Sequence, residues 1–198
     1  MEGLIEIKNL ADIEHEIHTE ISMVFVDAYY NDLKSISDDR EKLVRIFKNA
    51  FIPEAFYVAL MDGHVAGILA CSTNQTRAIS LDKADLVANI GFLKGNLVYL
   101  MMEKEFHTPI NYPDDTVYIE SVATLSRARG KGVATKLLEH VIKKLPYREY
   151  RLSVKDNNKD ALSIYEKHGF KEISRMKAGF FERRYTNYTH KLYMKYEK

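Results

Sequence analysis

The residues best suited to chemistry lie in one stretch, Thr116 to Leu138. Eight or nine residues rich in Val, Ile, Tyr and Thr lead into a basic turn, Arg129-Gly130-Lys131-Gly132-Val133-Ala134, and the chain continues as an amphipathic helix. A strand that passes through glycines into a helix N-terminus makes a site for an anion, because free backbone N–H groups and the positive end of the helix dipole both face the ligand. Small residues let the backbone approach closely, and successive N–H groups from Arg129 to Ala134 suit a pyrophosphate. The dipole contributes roughly 0.3–1 kcal/mol per anion, so hydrogen bonds to charged oxygen must supply the rest.

Spacing separates the candidate owners of such a turn. The mononucleotide loop Gly-x-x-x-x-Gly-Lys-[Ser/Thr] fails, since position 125 is Leu and position 132 is Gly. The dinucleotide fingerprint Gly-x-Gly-x-x-Gly fails at its third glycine, where Thr135 stands. An ordinary tight strand–helix turn explains two glycines but not the segment downstream. There Asn158-x-x-Ala161-x-x-x-Tyr165-x-x-x-Gly169-Phe170 spaces Asn158, Ala161 and Tyr165 by three and four, on one helix face. Together the two segments resemble the GNAT superfamily of N-acetyltransferases. Its acetyl-CoA signature is [Gln/Arg]-x-x-Gly-x-[Gly/Ala], between the fourth strand and the following helix. Two registers fit, Arg127-x-x-Gly130-x-Gly132 and Arg129-x-x-Gly132-x-Ala134. The second is preferred, because it puts Leu137-Leu138 at the family's apolar pair and Ser126 where the family often has proline. The resemblance runs from Ala55 to Phe170 and departs between Leu81 and Tyr112, which is longer and more apolar than the usual link.

The resemblance implies an acetyl-CoA-dependent N-acetyltransferase acting by direct transfer on a primary amine, small molecule or peptide. It assigns the pyrophosphate to Arg129, Gly130, Lys131, Gly132, Val133 and Ala134, the pantetheine arm to Asn158, and further cofactor contacts to Val122, Ala123 and Thr124 at the strand end and to Tyr165 near the thioester sulfur. Tyr165 is the implied general acid for the leaving thiolate. Glu120 is the implied base, since the family often has a carboxylate in this strand facing the acceptor. An amine of pKa about 10.4 is protonated at pH 7, so a base or a water relay helps. A positioned base is worth about 10²–10⁴ in rate. Alternation puts Tyr118, Glu120 and Val122 on one face and Ile119, Ser121 and Ala123 on the other. A bulge near Ala123, implied by the family, would upset that parity and free an N–H for the thioester oxygen. Each residue also has a plainer role: a capping Asn158, a core Tyr165, a solvent-facing Glu120. The alternative to an enzyme is a non-catalytic acyl-CoA-binding module on the same fold.

Other reactive side chains rank lower. Cys71 is the only cysteine, which excludes an internal disulfide, and it reads as a small buried thiol. His107 is a second candidate base. His168 suits a helix C-terminus, while His64 and His140 read as surface. His15 and His18 are accompanied only by Glu14, Glu16 and Glu20, so no metal is expected. The run Phe180-Phe181-Glu182-Arg183-Arg184-Tyr185 either shapes an acceptor pocket or is a solvated loop with buried Phe.

Elements at both ends must position the central stretch. Leu4 to Lys8 alternates as a first strand. Asp12 is a candidate cap for a helix carrying Ile13, Ile17, Ile21, Val24, Phe25 and Ala28, ending near Tyr30-Asn31. Ser37 or Asp38 caps a second helix with Leu43, Val44, Ile46, Phe47 and Ala50, which Pro53 stops. Ala55 to Met61 and Val65 to Cys71 form a hairpin through Asp62-Gly63. Leu81 to Glu105 reads as one long or broken helix on the domain, with Leu86, Ile90, Leu93, Leu97, Leu100 and Met101 apolar and Gly91 and Gly95 weakening it. The run Leu97 to Met102 is either core or an interface, the latter implying a homodimer. Tyr150 to Val154, Phe170 to Met176 and Thr189 to Tyr196 are later strands, and Asp160 to Lys167 a short helix. The fold class is mixed α/β (α+β): a central sheet of about seven strands flanked by helices, with a strand-helix-strand unit at its centre.

Composition sets the outer limits. A chain of 198 residues, 46% hydrophobic and 29% charged, reads as a single globular domain over 1–198. A net charge of +1 gives no electrostatic case for nucleic-acid binding. The acidic N-terminus lacks an apolar signal core and no run of about 18 apolar residues exists, so no membrane partner and a cytoplasmic location are expected.

Overall fold

The computed structural model describes residues 4–14, 16–106, 108, 110–179 and 187–198. His15, His107, Pro109 and the Phe180-to-Tyr185 run lie outside the described residues, and so do the roles expected for them. Among the described residues, seven strands form one sheet: β1 (Ile5–Asn9), β2 (Phe56–Met61), β3 (His64–Ser72), β4 (Thr116–Thr124), β5 (Glu149–Lys155), β6 (Lys171–Lys177) and β7 (His190–Glu197). Their order is β1-β2-β3-β4-β5-β7-β6. Every neighbouring pair is antiparallel except β4 and β5, which run parallel. That parallel step needs a crossover, supplied by α5 (Val133–Lys144).

Helices cover both faces. On one side α1 (His18–Leu33), α2 (Arg40–Phe47) and α3 (Lys83–Ile90) bury Ile21, Phe25, Leu43, Phe47 and Leu86 against Phe56, Val58 and Ile68. On the other, α5 and α6 (Lys159–Lys167) bury Leu137, Leu138, Val141 and Leu162 against Tyr57, Leu69, Tyr150 and Leu152. Coverage on both faces explains why β2 and β3 are apolar runs without alternation. Their turn has Asp62 at φ 52° and Gly63 at φ 79°, the two positive values of a type I′ hairpin.

The first helices begin later than the periodicity suggests. Asp12 does not cap α1; it ends a 3-10 turn, Leu10–Asp12, that Asn9 caps by accepting from the Ala11 N–H at 3.0 Å. Leu10 is buried, and anchoring it turns the chain before α1 starts at His18. The helix then runs to Leu33, and Ala28 is exposed rather than apolar-side. Asp39, not Ser37 or Asp38, caps α2, accepting from the N–H groups of Glu41 and Lys42.

The Leu81-to-Glu105 region is broken rather than continuous. Asp82 caps α3, Gly91 ends it at φ 85°, and α4 (Phe92–Phe106) folds back beside it. A Cβ on Gly95 would stand 2.7 Å from the Val87 Cα, so the two helices cross in close contact at this glycine. That contact fixes the rotation of α4. Val98 and Phe106 turn inward, and Leu93, Leu97, Leu100 and Met101 point out, being 84%, 59%, 65% and 69% exposed. Leu86 and Ile90 thus pack on the domain as expected, Leu93 does not, and of the two readings of Leu97 to Met102 the core one is corrected at Leu97, Leu100 and Met101.

Candidate active site

The site begins where β4 and β5 part. They pair from Thr116 opposite Glu149 to Ile119 opposite Leu152, and no further, although β4 continues to Thr124 and β5 to Lys155. At the same point the register with β3 slips: Ala70 faces Ser121 and Cys71 faces Ile119, so Glu120 is the extra residue of a bulge. The bulge expected near Ala123 is thus found at Glu120, where the carboxylate leaves the strand's regular alternation to reach polar partners. Its effect on parity is the anticipated one. Val117, Ile119 and Val122 all meet the α5-side core, and Ala123 joins the α1-side core. Tyr118, Glu120 and Val122 therefore do not share a face. A bulge also sharpens local twist, which favours separation of the two strands.

Beyond β4 the chain makes the basic turn. Leu125 N–H bonds the Ala66 carbonyl at 2.9 Å, a 3-10 turn spans Ser126–Ala128, and α5 starts at Val133. Gly130 and Gly132 sit at φ 74° and 76°, a conformation that costs other residues about 1–2 kcal/mol. The first helical bond is Lys136 N–H to the Gly132 carbonyl, at 2.9 Å. Among the described residues, the N–H groups of Gly130 to Thr135 have no backbone acceptor. Arg129 is the exception in the expected set, its N–H being turned to the Ser126 carbonyl at 3.3 Å. A Cβ at Gly130 or Gly132 would meet nothing within 4 Å, so the cradle opens outward, flanked by exposed Arg129 and Lys131. These features suit a pyrophosphate. Beneath the turn, Gly67 of β3 touches α5 so closely that a Cβ would lie 2.5 Å from Val133 Cγ1.

Asn158 caps α6, its Oδ1 accepting from the Ala161 N–H at 3.3 Å; the side chain is exposed and its amide N–H₂ makes no bond among the described residues. Tyr165 is buried in the α6-side core with its ring 5.8 Å from that of Phe170. Its hydroxyl makes no hydrogen bond among the described residues and is not among the sealed polar atoms. Burial raises the Tyr165 pKa, and the neighbouring phenols of Tyr29 and Tyr118 add to the shift. The group therefore stays protonated through physiological pH, as a proton donor must. Tyr118 is likewise pushed up to about 12, by burial first, and its hydroxyl lies 2.7 Å from Ser153 Oγ across the β4–β5 boundary.

Glu120 is not a free carboxylate. Ser72 Oγ donates to one oxygen and Arg77 Nη2 to the other, with the side chains of Arg77 and Glu120 only 15% and 11% exposed. Ser72 Oγ in turn accepts from the Ala78 N–H at 2.9 Å, and Arg77 Nη1 donates to the Thr108 carbonyl at 2.6 Å. Arg77 Nε is buried with no partner among the described residues. Arg77 also lines a cavity of about 320 Å³ with Ile52, Thr76, Ile79 and Phe106, so the ion pair joins β4 to that space.

Sequence reasoning missed Arg77, Ser72 and Tyr29. Ser72 ends β3 and Arg77 stands in the connection after it, and neither carries a spacing signal. Tyr29 continues the Ile21–Phe25 stripe at four-residue intervals, which is the mark that pointed inward. Its hydroxyl accepts from the Val122 N–H at 3.2 Å and donates to the Val122 carbonyl at 3.3 Å.

The remaining candidates take structural roles. Cys71 is buried, and burial followed by the Glu120 charge raises its pKa, so the thiol is a poor nucleophile. His168 stands at the end of α6 with Nδ1 2.7 Å from the Ile164 carbonyl. His64 is exposed, but His140 is half-buried, 5.9 Å from the Tyr57 ring, rather than on the surface. No group of His, Cys, Asp or Glu suited to a metal occurs among the described residues.

The parted parallel strand pair, the unpaired helix N-terminus at its end and the buried phenols alongside lie together at one end of the sheet. A model of the acetyltransferase (GNAT) family matches residues 8–170, and the chain belongs to that family. No curated protein sequence matches it. Among solved structures, an N-acetyltransferase from Staphylococcus aureus is similar at 18% identity and TM-score 0.58, covering 96% of this chain and 100% of that one. A GCN5-related N-acetyltransferase from Kribbella flavida has 14% identity and TM-score 0.60, with 98% of each chain covered. The ribosomal-protein-S18-alanine N-acetyltransferase from Escherichia coli has 12% identity and TM-score 0.55, covering 98% and 94%. At these identities the likeness is one of fold.

Proposed function

We propose that the chain, as one catalytic domain, transfers an acetyl group from acetyl-CoA directly to a primary amine of a small molecule or peptide in the cytoplasm. The observation that carries this reading is the parting of β4 and β5 after Ile119 beside the unpaired N–H groups of Gly130 to Thr135. When bound, acetyl-CoA supplies a thioester carbonyl to the amine. The N–H groups of Gly130, Lys131, Gly132, Val133 and Ala134, with the Arg129 and Lys131 side chains, hold the pyrophosphate. Asn158 uses its free amide N–H₂ on the pantetheine arm, and the strand edge from Val122 to Thr124 aligns it. The carbon–nitrogen bond forms as the carbon–sulfur bond breaks, and Tyr165 protonates the departing thiolate. Each Glu120 oxygen keeps a lone pair beyond its bond to Ser72 or Arg77, and through a water it takes the proton released by the amine. The buried Cys71 supports direct transfer over a covalent relay.

Two variants test the assignments. Tyr165→Phe is expected to lower turnover about 10²–10⁴-fold with little change in CoA affinity; unchanged turnover removes its acid role. Gly132→Leu is expected to abolish CoA binding, and normal affinity would remove the preferred register. A panel of amines assayed for released CoA thiol separates the enzyme from a non-catalytic acyl-CoA-binding module, which would bind CoA and turn over none. No helix among the described residues is long and apolar enough to cross a membrane. The outward stripe of α4 supports a homodimer, since contiguous apolar patches beyond a few hundred Å² seldom stay uncovered.

A further inference from the structure

We propose that Tyr29 gates the donor groove: its hydroxyl holds both backbone groups of Val122, and the cofactor arm binds only as the hydroxyl lets go. The inference rests on the proposed acetyl-CoA site. In a strand, the N–H and C=O of one residue point to the same edge. Since both Val122 groups bond Tyr29, they face away from β3, into the split that opens after Ile119. One phenol thus satisfies a donor and an acceptor that an adjacent strand would otherwise pair. An extended chain of amides lying along β4 needs the same two groups.

The surrounding contacts make this a side-chain movement rather than a helix movement. α1 lies across the split and is tied on both sides. Ser126 Oγ, after β4, donates to Asp27 at 3.2 Å, and Lys155, at the end of β5, bonds Asp32 at 2.7 Å. Arg40 adds an ion pair to Asp27 at 3.6 Å. The Tyr29 ring rests 4.9 Å from that of Phe25, which anchors its base. Both Tyr29 bonds, at 3.2 and 3.3 Å, lie at or beyond the long end of the normal range, so they exchange readily for stronger ones. The hydroxyl keeps the strand edge satisfied in the free protein and yields it on binding.

Tyr29→Phe keeps the ring and deletes the hydroxyl. Calorimetric titration with CoA, without any amine, is expected to give about tenfold tighter binding than the parent, because the competing pair is gone. Equal or weaker binding overturns the gate; a merely structural tyrosine would give weaker binding. Hydrogen exchange at the Val122 amide supplies a cofactor-free readout: it is expected to quicken at least tenfold in Tyr29→Phe, and an unchanged rate shows that the bond is not held in solution and overturns the gate as well. CoA binding to both proteins with equal affinity removes the gate alone. Failure of CoA to bind either protein removes the proposed function and the gate with it. Binding to Tyr29→Phe but not to the parent is the strongest support.

Discussion

Gly67→Ala is the substitution through which the sheet and the anion site are most directly coupled. The added Cβ would stand 2.5 Å from Val133 Cγ1, 2.9 Å from the Ala123 carbonyl oxygen and 3.4 Å from Leu137 Cδ1. Carbon atoms settle near 3.5–4.0 Å, so the helix start must retreat by about 1 Å. Valine is stiff at χ1 and the second clash is with backbone, so rotamer changes alone give no relief. Overpacking of this kind costs about 1–3 kcal/mol. In a chain of 198 residues that is a fall in Tm of roughly 2–12 °C. A retreat of about 1 Å takes the Val133 N–H out of hydrogen-bond range of a bound phosphate oxygen. Loss of one such bond lowers CoA affinity about ten- to a hundredfold. Gly95→Ala is the matched control, with its Cβ 2.7 Å from the Val87 Cα but remote from the turn. It is expected to lower Tm comparably and leave CoA affinity alone. Thermal melts and calorimetry on both variants read the two effects. If Gly67→Ala loses stability but binds CoA as Gly95→Ala does, the close approach of β3 to α5 does not position the anion site and the reasoning fails.

Three further outcomes are expected. Asp156 accepts from Thr189 and from the N–H groups of Thr189 and His190, which lower its pKa to about 2; its stabilisation is therefore full above the ordinary value near 3.8 and is lost as pH falls through about 2. Denaturation of Asp156→Asn against the parent should show a stability gap at pH 6 that closes by pH 2, and a gap independent of pH contradicts the assignment. Leu97→Glu, in the middle of the α4 stripe, should convert a dimer to a monomer by light scattering with CoA affinity intact; a monomeric parent removes the dimer. Arg77→Met strands the Glu120 carboxylate, a change that costs about 3–5 kcal/mol when an ion pair is buried, and equal stability by urea titration would show the pair to be idle.

The parts legible in the sequence were those with a local cause. Asp62-Gly63 fixed the hairpin, the glycines fixed the turn, and the 3.6-residue period fixed α5 and α6. What escaped depends on contacts distant in sequence. The rotation of α4 follows from Gly95 meeting Val87, which is why the period alone left Leu97 to Met102 open between core and interface, and Leu93 and Leu97 face outward. The bulge falls at Glu120 because its partners, Ser72 and Arg77, come from the β3 side, and strand alternation carries no trace of them. Asn158 joins a capping role to an unused N–H₂ group, so its two readings were never exclusive. Tyr29 lies one step beyond Phe25 on the same four-residue period, but nothing local marks its hydroxyl, whose target lies 93 residues away.

The central claim, that the β4–α5 turn and the parted strand edge hold acetyl-CoA, is tested most directly by recording amide ¹⁵N–¹H spectra of the chain while CoA is added. The account predicts saturable shifts largest at the amides of Gly130 to Thr135 and at Val122. Shifts confined elsewhere, or none at saturating CoA, would contradict it.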